Sequence, residues 1–490
     1  MRASLQFAIT ALLLHSRLFA VETITIFTPP NPHPLEARAA TWLAESIPSA
    51  VNAKVQIVTN PNPPETSGTQ IHIGPIGQKS QNSPNGPTSP NGSHRLSSSK
   101  NRIDLQGDTP ISILWAAADL VAHLGIRVTL QSDLPPVTKH DSIPPLNISR
   151  TPLVQERVWN GIHAGNHSLA SWPEEDLRKT FQQLAKLKFT HIVLPNNPAR
   201  FSPISVTGDT AGRSAFKGAV FFAPPNGEDY IPAARESARK AGLEIANPAE
   251  VKGTIPLGPA NQSVLPAFDL AGLETELRTA LQKNQKRITF FASLPGDLNA
   301  SAYFVSRACF ERDLTARESF NGFIDPICGD GVSDRLWMGF EHVASAKRLL
   351  STTDQNLGVP SEGFLTRHFE SRTKPSPEIT RLKALYADAM AEMYRGNTRA
   401  RGGARSFILY HAKRLDFAMQ FVTAVEALAN AGDATARKEE DAKAEASDTG
   451  LEALYNALNA YGDIARDPSD LAAIATLNEF GYRPLTKTLR

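Results

Sequence analysis

Residues 156–195 read ERVWNGIHAGNHSLASWPEEDLRKTFQQLAKLKFTHIVLP. The segment enters as a strand over 154–159 (Val-Gln-Glu-Arg-Val-Trp) and passes through a polar loop, GIHAGNHSLAS. Ser171 and Glu174 have the spacing of a capping box, and Pro173 suits the first turn of the helix that follows. That helix carries Leu177, Phe181, Leu184 and Leu187 on one face, and a second strand at 190–194 stops at Pro195. Downstream the alternation continues with a strand at 218–223, a helix at 231–241, a strand at 243–246, a helix at 270–282 and a strand at 288–292. Strands alternating with helices imply parallel pairing. An eight-stranded barrel needs about 250 residues. Residues 153–332 are too few, so they predict a partial (β/α) TIM-barrel-like domain, truncated or eroded.

Upstream, residues 21–135 predict a small α/β accessory domain. Strands are expected at 22–27, 54–58, 70–74, 101–106 and 126–131, a helix at 34–47, and another at PISILWAAADLVAHLG, closed by Gly125. Residues 78–100, dense in Ser, Asn, Pro and Gly, read as a loop or hairpin insertion, and 136–152 as a Pro-rich linker. From 333 to 490 the chain predicts a C-terminal helical bundle. One apolar stripe runs through Ile379, Leu382, Tyr386, Met390 and Met393. A second runs Phe407, His411, Leu415, Ala418, Val422, Val425, Ala429, and a third Leu451, Leu454, Leu458, Tyr461. The fold class is therefore α/β plus all-α.

The 490 residues allow two to four domains at roughly 100–200 residues each. Residues 1–20 have a cationic start at Arg2, an apolar run from Leu5 to Leu14 and a small residue at Ala20, the layout of a secretory signal. That predicts a secreted or periplasmic protein, and no later stretch is long and apolar enough to span a membrane. Without Arg2 and Arg17 the 51 Lys+Arg become 49, equal to the 49 Asp+Glu, so the mature chain is neutral and a nucleic-acid partner is disfavoured. The neutrality hides a basic stretch at 376–415, with Arg395, Arg399, Arg401 and Arg405, and an acidic one at 433–470. These fit helices that neutralise each other across a bundle, which also allows a homodimer through the helical domain. Two cysteines, Cys309 and Cys328, are too few for a disulfide scaffold. They read either as one disulfide or as two separately buried thiols.

The 21–135 unit, with its WAAADLVAHLGIRV helix and strand, resembles the non-catalytic N-terminal domain shared by α-glucuronidases and β-hexosaminidases. ERVWNGIHAGNHSLASWPEEDLRKTFQQLAKLKFTHIVLP resembles the start of the barrel that follows in those families. SRACFERDLTARESFNGFIDPICGDG and DLAAIATLNEFGYRPL resemble the barrel's end and the chain's finish in large secreted carbohydrate-active bacterial proteins. The resemblance implies a glycoside-hydrolase-like protein acting on or binding polysaccharide-derived sugars. The adjacent Asp-Glu pair of the family 20 β-hexosaminidases is absent, as the chain contains no Asp-Glu dipeptide, and neither family's catalytic residues transfer to numbered positions.

Glycoside hydrolysis usually uses two carboxylates, about 5–5.5 Å apart for retention or about 6.5–9.5 Å apart for inversion. The acids just after strands are Glu228, Asp229, Glu250 and Asp297, and the pair Glu250 and Asp297 is the expectation for catalysis. Each could instead cap a helix. Arg157, Trp159, His163, Asn166, His167 and Trp172 gather donors and aromatic faces in one short stretch, the chemistry of a sugar-binding loop. The two tryptophans could equally be wall packing. No P-loop, GxGxxG before a helix, GxSxG or HExxH is present, so neither a cofactor nor a metal is expected. A catalytically inactive carbohydrate-binding or scaffolding protein with an eroded barrel is the alternative.

Overall fold

The structure, a computed structural model, describes residues 22–59, 68–76, 92–161, 167–169, 172–194, 204–206, 211–215, 220–222, 227–251, 253–259, 262–354 and 356–489. At 204–206, 213, 220–222, 227–230 and 250 it describes backbone alone. The expected signal segment lies outside the described residues. The chain divides into two compact units, residues 1–126 with 138–150, and residues 127–137 with 151–490.

In the first unit, β1 (Glu22–Thr28) is buried on both faces from Ile24 onward, with Ile24 and Ile26 fully buried. α1 (Pro34–Ala50) starts at His33, whose Nδ1 accepts the Leu35 N–H at 3.2 Å while Glu36 accepts the His33 N–H at 2.9 Å. Its inner face is Leu35, Ala39, Trp42, Leu43 and Ile47, at helical spacing within the helix expected over 34–47. β2 (Ala53–Thr59), β3 (Thr69–Pro75), β4 (His94–Ser99) and β5 (Arg102–Gly107) follow. α2 (Pro110–His123) is capped by Thr109 and released by Gly125 at φ 84°, the left-handed conformation that favours glycine.

The strand expected at 126–131 does not complete this sheet. β6 (Arg127–Val128) pairs antiparallel with β7 (Asp133–Leu134) and belongs to the second unit, held there by an Arg127 Nε bond to the Gly322 carbonyl at 2.7 Å. The edge is taken by β8 (Asn147–Arg150), which lies within the stretch expected to be linker. The order is β2-β1-β3-β5-β4-β8. A β-carbon on Gly107 would lie 2.6 Å from the Ile113 backbone nitrogen and 2.5 Å from Ser112 Oγ. Gly107→Ala is therefore expected to cost about 1–3 kcal/mol through overpacking. Gly74→Ala, with nothing within 4 Å, is the control, and both are read from the first unit's denaturant midpoint.

The parallel α/β part of the second unit opens with β9 (Glu156–Asn160), α3 (Glu174–Lys186) and β10 (His191–Val193). α3 begins at Pro173 with no side-chain cap bond, and Ser171 of the expected capping box lies outside the described residues. β11 (Ile204–Val206) and β12 (Val220–Phe222) form an antiparallel ribbon, so the strand expected at 218–223 is not part of the parallel sheet. α4 (Gly227–Ala241), β13 (Glu244–Ala246), β14 (Thr254–Pro256), α5 (Leu270–Gln282) and β15 (Arg287–Phe291) complete the α/β part. β14 was not legible from the sequence, being three residues long without alternation.

The parallel sheet runs β13-β10-β9-β15-β14. The first strand is bracketed by the second and by the last, in register from Arg287 against Glu156 to Phe291 against Asn160. A doubly wound sheet runs 3-2-1-4-5. Here the last strand, not the fourth, lies against the first, which is the order at the seam of a closed (β/α) barrel. β13 and β14, consecutive in sequence, are the two edges of this arc, joined by residues 247–253.

Helices begin earlier than expected, with α6 (Asn299–Ala308) and α7 (Ala316–Cys328) before α8 (Ser333–Thr352). They continue through α9 (Thr366–Glu370), α10 (Pro377–Arg399), α11 (Arg405–Arg437), α12 (Glu440–Gly462), α13 (Pro468–Leu477) and α14 (Arg483–Leu489). The three predicted stripes are buried faces: Leu382 and Tyr386 on α10, Phe407, Leu415, Ala418 and Val422 on α11, and Leu454, Leu458 and Tyr461 on α12. Among the described residues no helix is long and apolar enough to cross a membrane.

Candidate functional site

Chemistry on a barrel gathers where strands end. After β15 the chain turns at Leu294, whose φ of 52° is left-handed, into a short 3-10 turn, Pro295–Leu298. The turn carries Asp297 inward to 1% exposure. Arg414, on the inner face of α11, grips both carboxylate oxygens, Nε to Oδ1 at 2.9 Å and Nη2 to Oδ2 at 2.7 Å, and donates to the Val264 carbonyl at 2.8 Å. Burial alone would lower the Arg414 pKa. The Asp297 charge and neighbouring Tyr461 outweigh it and hold the guanidinium well above its ordinary value.

Aromatic rings close the centre. The Arg414 guanidinium stands 4.2 Å from the Tyr461 ring centroid. Tyr461 donates to Asp470 Oδ1 at 2.7 Å, Tyr410 to the same oxygen at 3.2 Å, and the Arg466 N–H to Oδ2 at 2.9 Å. A β-carbon on Gly296 would sit 2.0 Å from the Tyr410 hydroxyl, so only glycine lets that ring approach the turn. Asp467 caps α13 and accepts Gln131 Nε2 at 3.2 Å. Burial pushes both Asp467 and Asp470 up, and for Asp467 the charge of Asp470 adds to it. His411 lies edge-on to Phe268, Phe340, Phe407 and Tyr410, at 4.8 to 5.9 Å between centroids. Burial there holds its pKa down to about 4. The result is a dry polar centre that fastens the helices onto the strand ends.

No protein-family model matches the chain, and no curated protein matches it. Solved structures do. A family 115 4-O-methyl-α-glucuronidase with specificity for decorated arabinogalactans aligns over 92% of this chain and 79% of its own, at a TM-score of 0.55 and 11% identity. The likeness is one of fold. A family 138 enzyme targeting pectin rhamnogalacturonan II aligns over 96% of this chain and all of its own at a TM-score of 0.48 and 9% identity. A Streptomyces plicatus β-hexosaminidase aligns over 50% of this chain and 43% of its own at 0.28 and 12%.

On this fold the expected site residues separate. Asp297 is sealed by Arg414, with no oxygen left for a substrate, because the turn after β15 points it into the core rather than toward solvent. Glu250 ends a 3-10 turn, Pro248–Glu250, just past β13, and its side chain lies outside the described residues, as do those of Glu228 and Asp229 at the start of α4.

The expected sugar-binding loop is divided as well. Arg157 is a buried brace, not a substrate contact. It donates to the Lys188 carbonyl at 2.5 Å and lies 4.9 Å from the Phe310 ring centroid. Burial lowers its pKa to about 10. Trp159 is fully buried, edge-on to Phe189 at 5.1 Å. Trp172 is buried and donates Nε1 to Ser469 Oγ at 2.8 Å, and Ser469 Oγ donates to the His167 carbonyl at 2.6 Å. Both tryptophans are therefore packing residues. His167 is buried with its pKa lowered to about 4. His163 and Asn166 lie outside the described residues.

Cys309 and Cys328 are free and buried, so the disulfide gives way to two separate thiols, each raised to about 12 by burial. Among the described residues no group of three His, Cys, Asp or Glu side chains is placed to hold a metal ion. Arg414, Tyr410 and Asp470 were missed from the sequence. Arg414 carried a signal, since it falls at helical spacing among Phe407, His411 and Ala418, and a charge on an apolar stripe needs a buried partner.

Proposed function

We propose that the chain is a secreted or periplasmic carbohydrate-active protein that acts on or binds oligosaccharides derived from polysaccharide. One observation carries the reading. A parallel arc with barrel-seam order, behind a small α/β unit and ahead of a helical region, aligns over nearly the whole chain with the α-glucuronidase. The first probe is therefore a glucuronate-decorated arabinogalactan oligosaccharide. Hydrolysis of its terminal glycosidic bond needs a proton donor to the leaving oxygen and a second carboxylate or activated water at the anomeric carbon. Asp297 is buried against Arg414, so Glu250 is the strand-end acid proposed for one of them.

The test is release of reducing sugar from that oligosaccharide. Turnover is expected, falling by about 10²–10⁴-fold in Glu250→Gln, the usual effect of losing a general acid or base. Retarded migration in gels containing the polysaccharide, without turnover, would support binding alone. Neither turnover nor retardation across plant polysaccharides would refute the proposal.

A further inference from the structure

We infer that a pocket between the start of α5 and the middle of α8 binds a neutral pyranose, a subsite whose lining shares only Phe340 with the packing around the strand-end centre. The cavity is about 350 Å³, at the small end of the roughly 300–1,000 Å³ of small-molecule sites. Its floor is apolar: Phe340 at 5% exposure and Leu270 at 4%. Its wall is Trp337, half-buried and held in place by Phe320 edge-on at 5.3 Å and Arg317 at 5.0 Å. Trp337 Nε1 donates to Glu341 Oε1 at 2.8 Å, which fixes both the indole plane and the carboxylate beside it. Asp269 spends Oδ1 on the Gly272 N–H at 2.9 Å while capping α5. Arg348, braced on Ser345 Oγ at 2.9 Å, completes the rim.

An indole wall offers C–H contacts to the apolar face of a sugar ring. Flanking carboxylates accept from adjacent hydroxyls, and a guanidinium donates to ring or hydroxyl oxygens. That set matches a pyranose. The charge selects further: Arg317 beside the indole is paired with Asp334, and the lining's own two carboxylates against one guanidinium leave the rim net negative, which disfavours a uronate relative to a neutral sugar. This inference does not depend on what the strand ends do.

Tryptophan fluorescence reads the site selectively, because Trp42, Trp115, Trp159 and Trp172 are each at most 5% exposed and Trp337 alone of the five is half-buried. The full chain is titrated with methyl glycosides of galactose, glucose, arabinose and xylose, and with methyl glucuronoside. At least one neutral glycoside is expected to give a saturable change in the millimolar range, with the glucuronoside weaker by about tenfold or more. Glu341→Ala, at an exposed position, is expected to weaken the neutral ligand by about tenfold. Trp337→Phe should abolish the signal. No saturable change with any neutral glycoside, equal binding of the glucuronoside, or a change that persists in Trp337→Phe would each overturn the assignment. Turnover of polysaccharide plays no part in this readout, so its failure leaves the strand-end reading standing.

Discussion

Arg414→Met is expected to destabilise the second unit by about 3–5 kcal/mol, because it strands the Asp297 carboxylate at 1% exposure without the cation that grips it. Asp297→Leu is expected to cost a similar amount by stranding the guanidinium. The double variant should recover much of the loss, since a matched apolar pair escapes the desolvation that a lone buried charge suffers. Denaturant midpoints of the three variants, compared as a double-mutant cycle, give the coupling. Additive losses would mean that the pair does not act as a unit. The prediction bears on function because it separates a latch from a catalytic acid. A latch loses stability on substitution, whereas a functional acid usually loses activity while keeping the fold.

Acidification supplies the second large effect. His411 is held neutral down to about 4 by burial among four aromatic rings, whereas an unperturbed histidine titrates near 6.5. Asp297 opposes that lowering, and Arg414 and Arg466 reinforce it. The folded pKa is the depressed one, so the unfolded chain takes up the extra proton first. Stability from this residue is complete above pH 6.5 and is lost as pH falls toward 4. The full difference is about 3 kcal/mol. Asp467 and Asp470 shift the other way, since burial raises both and acid then favours the fold. The comparison with His411→Phe isolates the histidine: between pH 7 and pH 4.5 the variant should lose less stability than the parent. An identical slope in both would contradict the burial of a neutral imidazole.

How far the sequence could be read depended on whether a feature repeats. Helix stripes repeat, so Leu35 to Ile47, Leu177 to Leu187 and Phe407 to Val422 were legible, and each is a buried face. Short strands do not repeat. β14 has three residues and no alternation, and β12 pairs with an equally short antiparallel neighbour rather than with the sheet. The seam of the arc, β15 against β9, joins residues more than 120 apart, which no local pattern encodes.

Composition of the loop after β9 pointed toward sugar binding. The tryptophans there went inward instead, because Trp172 finds Ser469 and Trp159 finds Phe189, partners hundreds or tens of residues away. Asp297 looked catalytic for a similar reason. Its position after a strand was visible, but the cation that claims it lies 117 residues downstream. The one local hint was Arg414 itself, a charge set into an apolar stripe.

The most direct test of the account is saturation-transfer NMR on the full chain with a glucuronate-decorated arabinogalactan oligosaccharide, followed over hours. The account predicts transfer to sugar protons at once, with or without new reducing-end anomeric signals afterwards. Absence of both transfer and new anomeric signals, with that oligosaccharide and with neutral plant oligosaccharides alike, would contradict it.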